Sequence, residues 1–158
     1  MKKVRFRVWQ TFHKKMLTVT DLHFDKNGNI KGVTVRNTPD TIPTTISYGL
    51  EKDFGLTYEG KETLVLIQST NLKDKNGKEI FEGDIVKSQK KDDVVRFSKY
   101  QPPKIQEVFF SERYVCLMLR DVKTKQEDFL DREQFEKWRD FEIIGNIYEN
   151  PELLKEDK

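Results

Sequence analysis

The sequence predicts a mainly β protein of the α+β kind, with short strands rolled into a small barrel or curved sheet and one or two short helices near the C-terminus. Three observations carry this expectation. Apolar residues alternate with polar ones, or run together, in many short segments. Turn chemistry separates those segments: Asp-Lys-Asn-Gly at two places, Pro-Pro at another, and charged pairs between. Helical spacing of apolar residues is best between Asp131 and Phe141, late in the chain.

In order, Val4-Arg5-Phe6-Arg7-Val8-Trp9 alternates, with Val4, Phe6 and Val8 on one face of a half-buried strand and Arg5, Arg7 and Trp9 on the other. Met16 to Phe24 is rich in β-branched and apolar residues and forms a second strand. Asp25-Lys26-Asn27-Gly28 turns the chain, because Asn and Gly tolerate the positive φ of tight hairpins, and Ile30 to Arg36 returns. Asn37 to Gly60 holds Pro39, Pro43 and several Thr without a sustained period, so it is predicted as a long irregular loop. The boundary between two parts falls near its end, giving 1–62 and 63–158.

Thr63 to Gln68 is a continuous apolar run suited to a buried strand. Asp74-Lys75-Asn76-Gly77 repeats the earlier turn, as the same local chemistry used twice. Strands are expected from Ile85 and over Val94 to Phe97, Ile105 to Phe110 and Tyr114 to Arg120, with breakers at Lys90–Asp93 and Gln101–Lys104. Asp131 and Gln134 suit a capping box for the helix, with Phe135 and Trp138 on one face. Phe141 to Tyr148 closes the sheet, with Gly145 as a bulge, and Asn150-Pro151 opens a short terminal helix with Asn as cap.

Of the 158 residues, 35% are apolar and 35% charged, and 11 are Phe, so the expected core is modest and built around large rings. Net charge is +2, too small to imply a polyanionic partner. Its distribution is uneven. Met1 to Thr20 carries Lys2, Lys3, Arg5, Arg7, Lys14 and Lys15 with no acid, whereas acids outnumber bases from Asp121 onward. The single Cys116 excludes an internal disulfide. No apolar run approaches the ~18 residues of a membrane span, and no apolar segment follows the basic start. The cytoplasm is therefore the expected location.

Catalytic chemistry is not expected. His13, His23 and Cys116 lack the spacing of zinc ligands, so no metal or other cofactor is implied. Asp25 to Asn29 begins like a calcium loop, but Ile30 and Arg36 stand where Gly and Glu are needed. Cys116 lies in the apolar run Tyr114–Leu119, where a thiol is inert. No nucleophile elbow or phosphate loop occurs. Arg5, Arg7, Trp9, Lys14 and Lys15 do combine cations with a ring near one strand face, the combination that single-strand nucleic-acid binders use.

One block is more specific. Leu72-Lys73-Asp74-Lys75-Asn76-Gly77-Lys78-Glu79-Ile80-Phe81-Glu82-Gly83-Asp84-Ile85-Val86-Lys87 resembles the signature of YopX-like phage proteins. Arg5–Trp9 with Lys14–Leu17 resembles that family's opening, and Phe141–Leu154 its ending. Ser69 stands where the family usually has an aromatic, and Asn71 where it usually has Gly; Asn is the best substitute for Gly at positive φ, so the turn there survives. The resemblance implies an SH3-like barrel in 63–158, a β-rich N-terminal part, a phage or prophage origin, and no catalytic residues. Within the block, Asn76, Gly77, Gly83 and Asp84 are expected as structural residues: Gly83 bends the backbone, Asp84 accepts amide hydrogen bonds, and Ile85 or Val86 points inward.

The function expected is therefore that of a non-enzymatic accessory module that binds a protein partner or itself. The alternative is nucleic-acid binding through the basic N-terminal strand.

Overall fold

The computed structural model describes residues 4–36, 44–47, 49–51, 55–58, 62–90, 102–131, 133 and 139–155, the side chains of 44–63, 90 and 139 excepted. The chain divides into two compact units, Met1–Gln68 and Ser69–Lys158.

The first unit holds β1 (Phe6–Gln10), β2 (Lys15–Phe24), β3 (Ile30–Arg36), β4 (Thr44–Ser47), β5 (Gly49–Glu51), β6 (Gly55–Tyr58) and the start of β7 (Glu62–Lys73). Their order across the antiparallel sheet is β4-β3-β2-β1-β7-β6-β5. Register decides the core. Val8 lies opposite Leu17 and Leu66, and Val19 opposite Val35, so these side chains share one face. Val8, Leu17, Val33, Val35 and Leu64 form the buried cluster on that face, flanked by Val19, Leu22, Ile30 and Leu66. Full burial of an aliphatic side chain is worth roughly 1.5–3 kcal/mol, so this face holds the sheet in register.

The stretch predicted as a loop, 37–60, instead contains β4, β5 and β6. Its two prolines both precede β4, where a missing N–H removes no bond from the described ladder. Thr44, Thr45 and Ile46 are β-branched, which suits an edge strand even without an alternating pattern.

The second unit contains the remainder of β7, then β8 (Glu79–Phe81), β9 (Asp84–Lys90), β10 (Lys104–Ser111), β11 (Cys116–Asp121), β12 (Glu127–Phe129) and β13 (Arg139–Asn146). β8 pairs with β7, and the other five form an antiparallel sheet in the order β12-β11-β10-β9-β13. The barrel expected here is not closed: the pairings among the described residues leave β12 and β13 as the two ends of the path. Ile80, Val86, Val108, Leu119 and Phe141 form its core, with Leu72, Leu130 and Ile143 against them. The predicted bulge at Gly145 is present: register shifts between Ile143, opposite Val86, and Gly145, opposite Ile85.

The terminal helix is a single 3-10 turn, Pro151–Leu154. Asn150 does not cap it. Its side-chain oxygen instead accepts from the Asn146 N–H at 3.3 Å, so the expected capping residue ties the turn back to β13. The end of the predicted helix Asp131–Phe141 is strand instead, since β13 starts at Arg139 and Phe141 pairs with Ser88; residues 132 and 134–138, and the predicted strand Val94–Phe97, lie outside the described residues.

Candidate binding surfaces

The two Asp-Lys-Asn-Gly turns have the same geometry. The Asp25 carboxylate accepts from the Asn27 and Asn29 N–H groups at 2.8 and 2.9 Å, and Asp74 accepts from Asn76 and Lys78, both at 2.9 Å. Gly28 and Gly77 stand at φ 84° and 80°, conformations that cost a side chain and not glycine. They differ in surroundings. Asp74 is buried, its second oxygen accepts from the Ile143 N–H at 3.3 Å, and the Lys75 N–H donates to the Phe141 carbonyl. Lys75 Nζ pairs with Glu142 at 2.8 Å, which holds its ammonium above the usual lysine range. The second turn is thus a clasp on β13.

The rest of the motif is also structural. Gly83 has φ 77°, its N–H donates to the Val108 carbonyl, and its carbonyl accepts from the Ile147 N–H. Asp84 is buried and accepts from the Phe81 N–H at 2.8 Å. Both Ile85 and Val86 are fully buried. Asn71 does adopt the left-handed conformation, at φ 59°. The buried Ser69 hydroxyl donates to the Glu79 carboxylate at 2.5 Å and accepts from the Asn71 N–H at 3.0 Å. Ser69, a small residue where the resemblance leads one to expect a ring, is thus a small polar hub.

Along the basic strand, Arg5 is exposed, Arg7 half-buried and Trp9 only 7% exposed, so the indole is packed and offers no stacking platform. Arg7 lies opposite Thr18, and Thr18 opposite Arg36, which puts both arginines in one cross-strand row. Lys14 and Lys15 are exposed at the β1–β2 hairpin, beyond β1 itself. There the structure presents a ring that local sequence pattern does not single out. Phe12 is 72% exposed and meets the His13 ring edge-on, with centroids 5.1 Å apart. The available signal was the break in alternation after Trp9, which marks a hairpin tip where a Phe has no core to enter.

The β10–β11 hairpin repeats this loop. Ser111 pairs with Cys116 around Glu112–Val115, as Gln10 pairs with Lys15 around Thr11–Lys14, and the last loop residue is left-handed in both, Val115 at φ 52° and Lys14 at φ 49°. For a β-branched residue this is strained. Val115 is also 75% exposed. Tyr114 packs edge-on against Phe129, 5.4 Å between centroids, and the Arg113 guanidinium lies 5.2 Å over the Tyr114 ring. Behind them, Arg120 bridges Glu107 and Glu127 at 3.6 and 3.0 Å and stacks 4.0 Å over Phe109, so three strands are tied by one cation.

Remaining sequence candidates are scattered. His23 Nε2 lies 2.7 Å from the Thr34 hydroxyl on the sheet, and Cys116 opens β11 half-buried rather than inside a core. No cluster of three or more metal-ligating side chains occurs among the described residues, and no described helix is long and apolar enough to cross a membrane. Burial raises the Asp121 carboxyl, but the Thr124 and Lys123 N–H groups, the Thr124 hydroxyl and nearby Lys104 outweigh it and hold the group below the usual carboxylate range. The Asn29 side chain, with the Asn29, Asn27 and Gly28 amides, does the same for Asp25.

Protein EF1440 from Enterococcus faecalis has a similar structure, with a TM-score of 0.62, 26% identity, and 98% of this chain and 100% of that chain covered. Protein yopX from Bacillus subtilis superimposes with a TM-score of 0.54 at 18% identity, covering 98% of each chain. No curated protein matches the chain in sequence. The sequence model of the YopX protein family matches residues 5–155, nearly the whole length. The chain belongs to the YopX family.

Proposed function

We propose that this protein is a non-enzymatic phage or prophage accessory module of the host cytoplasm, one that binds a protein partner or a second copy of itself through the β10–β11 hairpin. In this reading the second unit is an SH3-like roll whose meander β9-β10-β11-β12 presents that hairpin.

The observation that carries the reading is Val115. An apolar, β-branched residue held both exposed and in the left-handed region is unfavourable twice over, and such strain persists where function selects it. Tyr114, Phe129 and Arg113 surround it, and Tyr and Arg are among the residue types that dominate interface energies.

The test compares the native chain with Val115→Asn/Phe129→Ser in light scattering and in capture from host lysate. The native protein self-associates or retains a discrete partner, and the double variant loses it. A native protein that is monomeric at every concentration and captures nothing the variant does not would overturn the reading.

A second reading, nucleic-acid binding, is favoured by one observation: Phe12 and His13 stand beside Lys14 and Lys15 at an exposed tip. Rings for bases beside cations for phosphate are the elements of a single-strand binder. Oligonucleotide affinity then falls steeply with salt and drops in Phe12→Ala/Lys14→Ala. Absence of binding at low salt rejects it.

A further inference from the structure

The second unit carries a cleft of about 540 Å³ that neither hairpin surface uses. Three segments form it: Pro102–Ile105 at the start of β10, the Asp121–Thr124 turn after β11, and Leu153 with Lys155 at the terminal 3-10 turn. Backbone bonds fix the first two against each other, since the Val122 N–H donates to the Ile105 carbonyl at 2.9 Å. Asn150 fixes the third through the Asn146 N–H.

The lining has two kinds of surface. Pro102, Pro103, Ile105, Val122 and Leu153 are apolar, and Ile105 is 40% exposed, so part of that surface is uncovered. Among the described lining residues, Lys104, Lys123 and Lys155 supply the positive charge, against one acid, Asp121. Asp121 is already engaged, accepting from the Lys123 and Thr124 N–H groups at 3.0 and 2.7 Å. Among the described residues, Lys123 and Lys155 are exposed and form no ion pair. The described lining is therefore apolar with surplus exposed cations.

We propose that this cleft binds an extended acidic segment of a partner protein, with an apolar side chain seated against Ile105, Val122 and Leu153 and flanking carboxylates meeting Lys104, Lys123 and Lys155. A neutral apolar segment would leave the cations unmatched, and a bare anion would leave Ile105 uncovered. Alternating apolar and acidic residues satisfy both surfaces, because successive side chains of an extended chain point opposite ways. The proposal does not depend on the hairpin reading, which uses other residues.

The experiment uses the full chain and a short fluorescein-labelled peptide of alternating Leu and Glu, followed by fluorescence anisotropy. Saturable binding is expected that weakens as salt rises. Lys123→Glu/Lys155→Glu, both exposed positions, should weaken it about tenfold or more, and Ile105→Ser should weaken it without changing the salt dependence. Val115→Asn should leave it unchanged. A matched peptide of Ser and Glu tests for plain anion attraction, and a single-stranded oligonucleotide tests for a polyanion site. The proposal is overturned if the Leu/Glu peptide does not bind, if charge reversal leaves its affinity intact, or if either control binds as tightly.

Discussion

Ser69 illustrates how one residue restructures its neighbourhood. Its buried hydroxyl joins the half-buried Glu79 carboxylate to the half-buried Asn71 amide. Ser69→Ala should cost about 0.5–1.5 kcal/mol in urea denaturation, the net worth of a lost intramolecular hydrogen bond. Asp25 and Asp121 make a prediction in pH. Both carboxyls lie below their ordinary value in the folded chain, so each stabilises fully above the unfolded pKa of about 3.9 and loses that contribution as pH falls through its lower folded value. Lys75 is shifted the other way, so its contribution is complete below the unfolded pKa of about 10.4 and fades as pH rises beyond it. Melting temperature should therefore be flat with respect to these three groups between those limits and fall at either side. Asp121→Asn should flatten the acid limb.

At the level of elements, the hairpins separate what geometry demands from what it tolerates. Gly83 is demanded: its φ is 77°, and a Cβ there would stand 3.1 Å from the Tyr148 ring. Gly83→Ala should destabilise the chain by about 1–3 kcal/mol, read as an earlier urea midpoint with an unchanged slope. Val115 is tolerated. Val115→Asn should raise stability by about 1 kcal/mol, since Asn visits the left-handed region readily, while weakening whatever the hairpin binds. Strands such as β1, β2 and β3 were legible because their alternation and Asn-Gly turns are local signals. β4 to β6 were not: each pairs with a strand adjacent in the chain, but they are only three or four residues long and carry no sustained period. β8 and β12 are three residues each, too short to show one. Of the surface residues named from sequence, Arg5, Lys14 and Lys15 are exposed and Trp9 is enclosed, while Phe12 and Tyr114 stand at tips whose exposure only the fold decides.

For the whole molecule, two units mean two cores. Among the described residues, the buried clusters around Val8 and around Ile80 share no member. Ile80→Ala should cost about 2–5 kcal/mol within the second unit, and hydrogen exchange resolved by residue should register the loss there before it registers in β1 to β3. Equal acceleration in both units would instead mean that they unfold as one. Family membership was readable end to end because three separated blocks carry it, whereas the open sheet path was not, since closure depends on how the strands at the two ends approach.

The clasp at the second Asp-Lys-Asn-Gly turn also sets an order of events during synthesis. The first turn needs only neighbouring residues and can form as soon as it leaves the ribosome. Asp74 and Ile143 are 69 residues apart, so the second cannot complete its bonds until nearly the whole chain has emerged. Until then β9 lacks β13 and presents an unpaired edge, the kind of surface on which nascent chains join one another. A chain ending before Arg139 should carry that edge permanently and aggregate, even with its Thr70–Lys87 block intact.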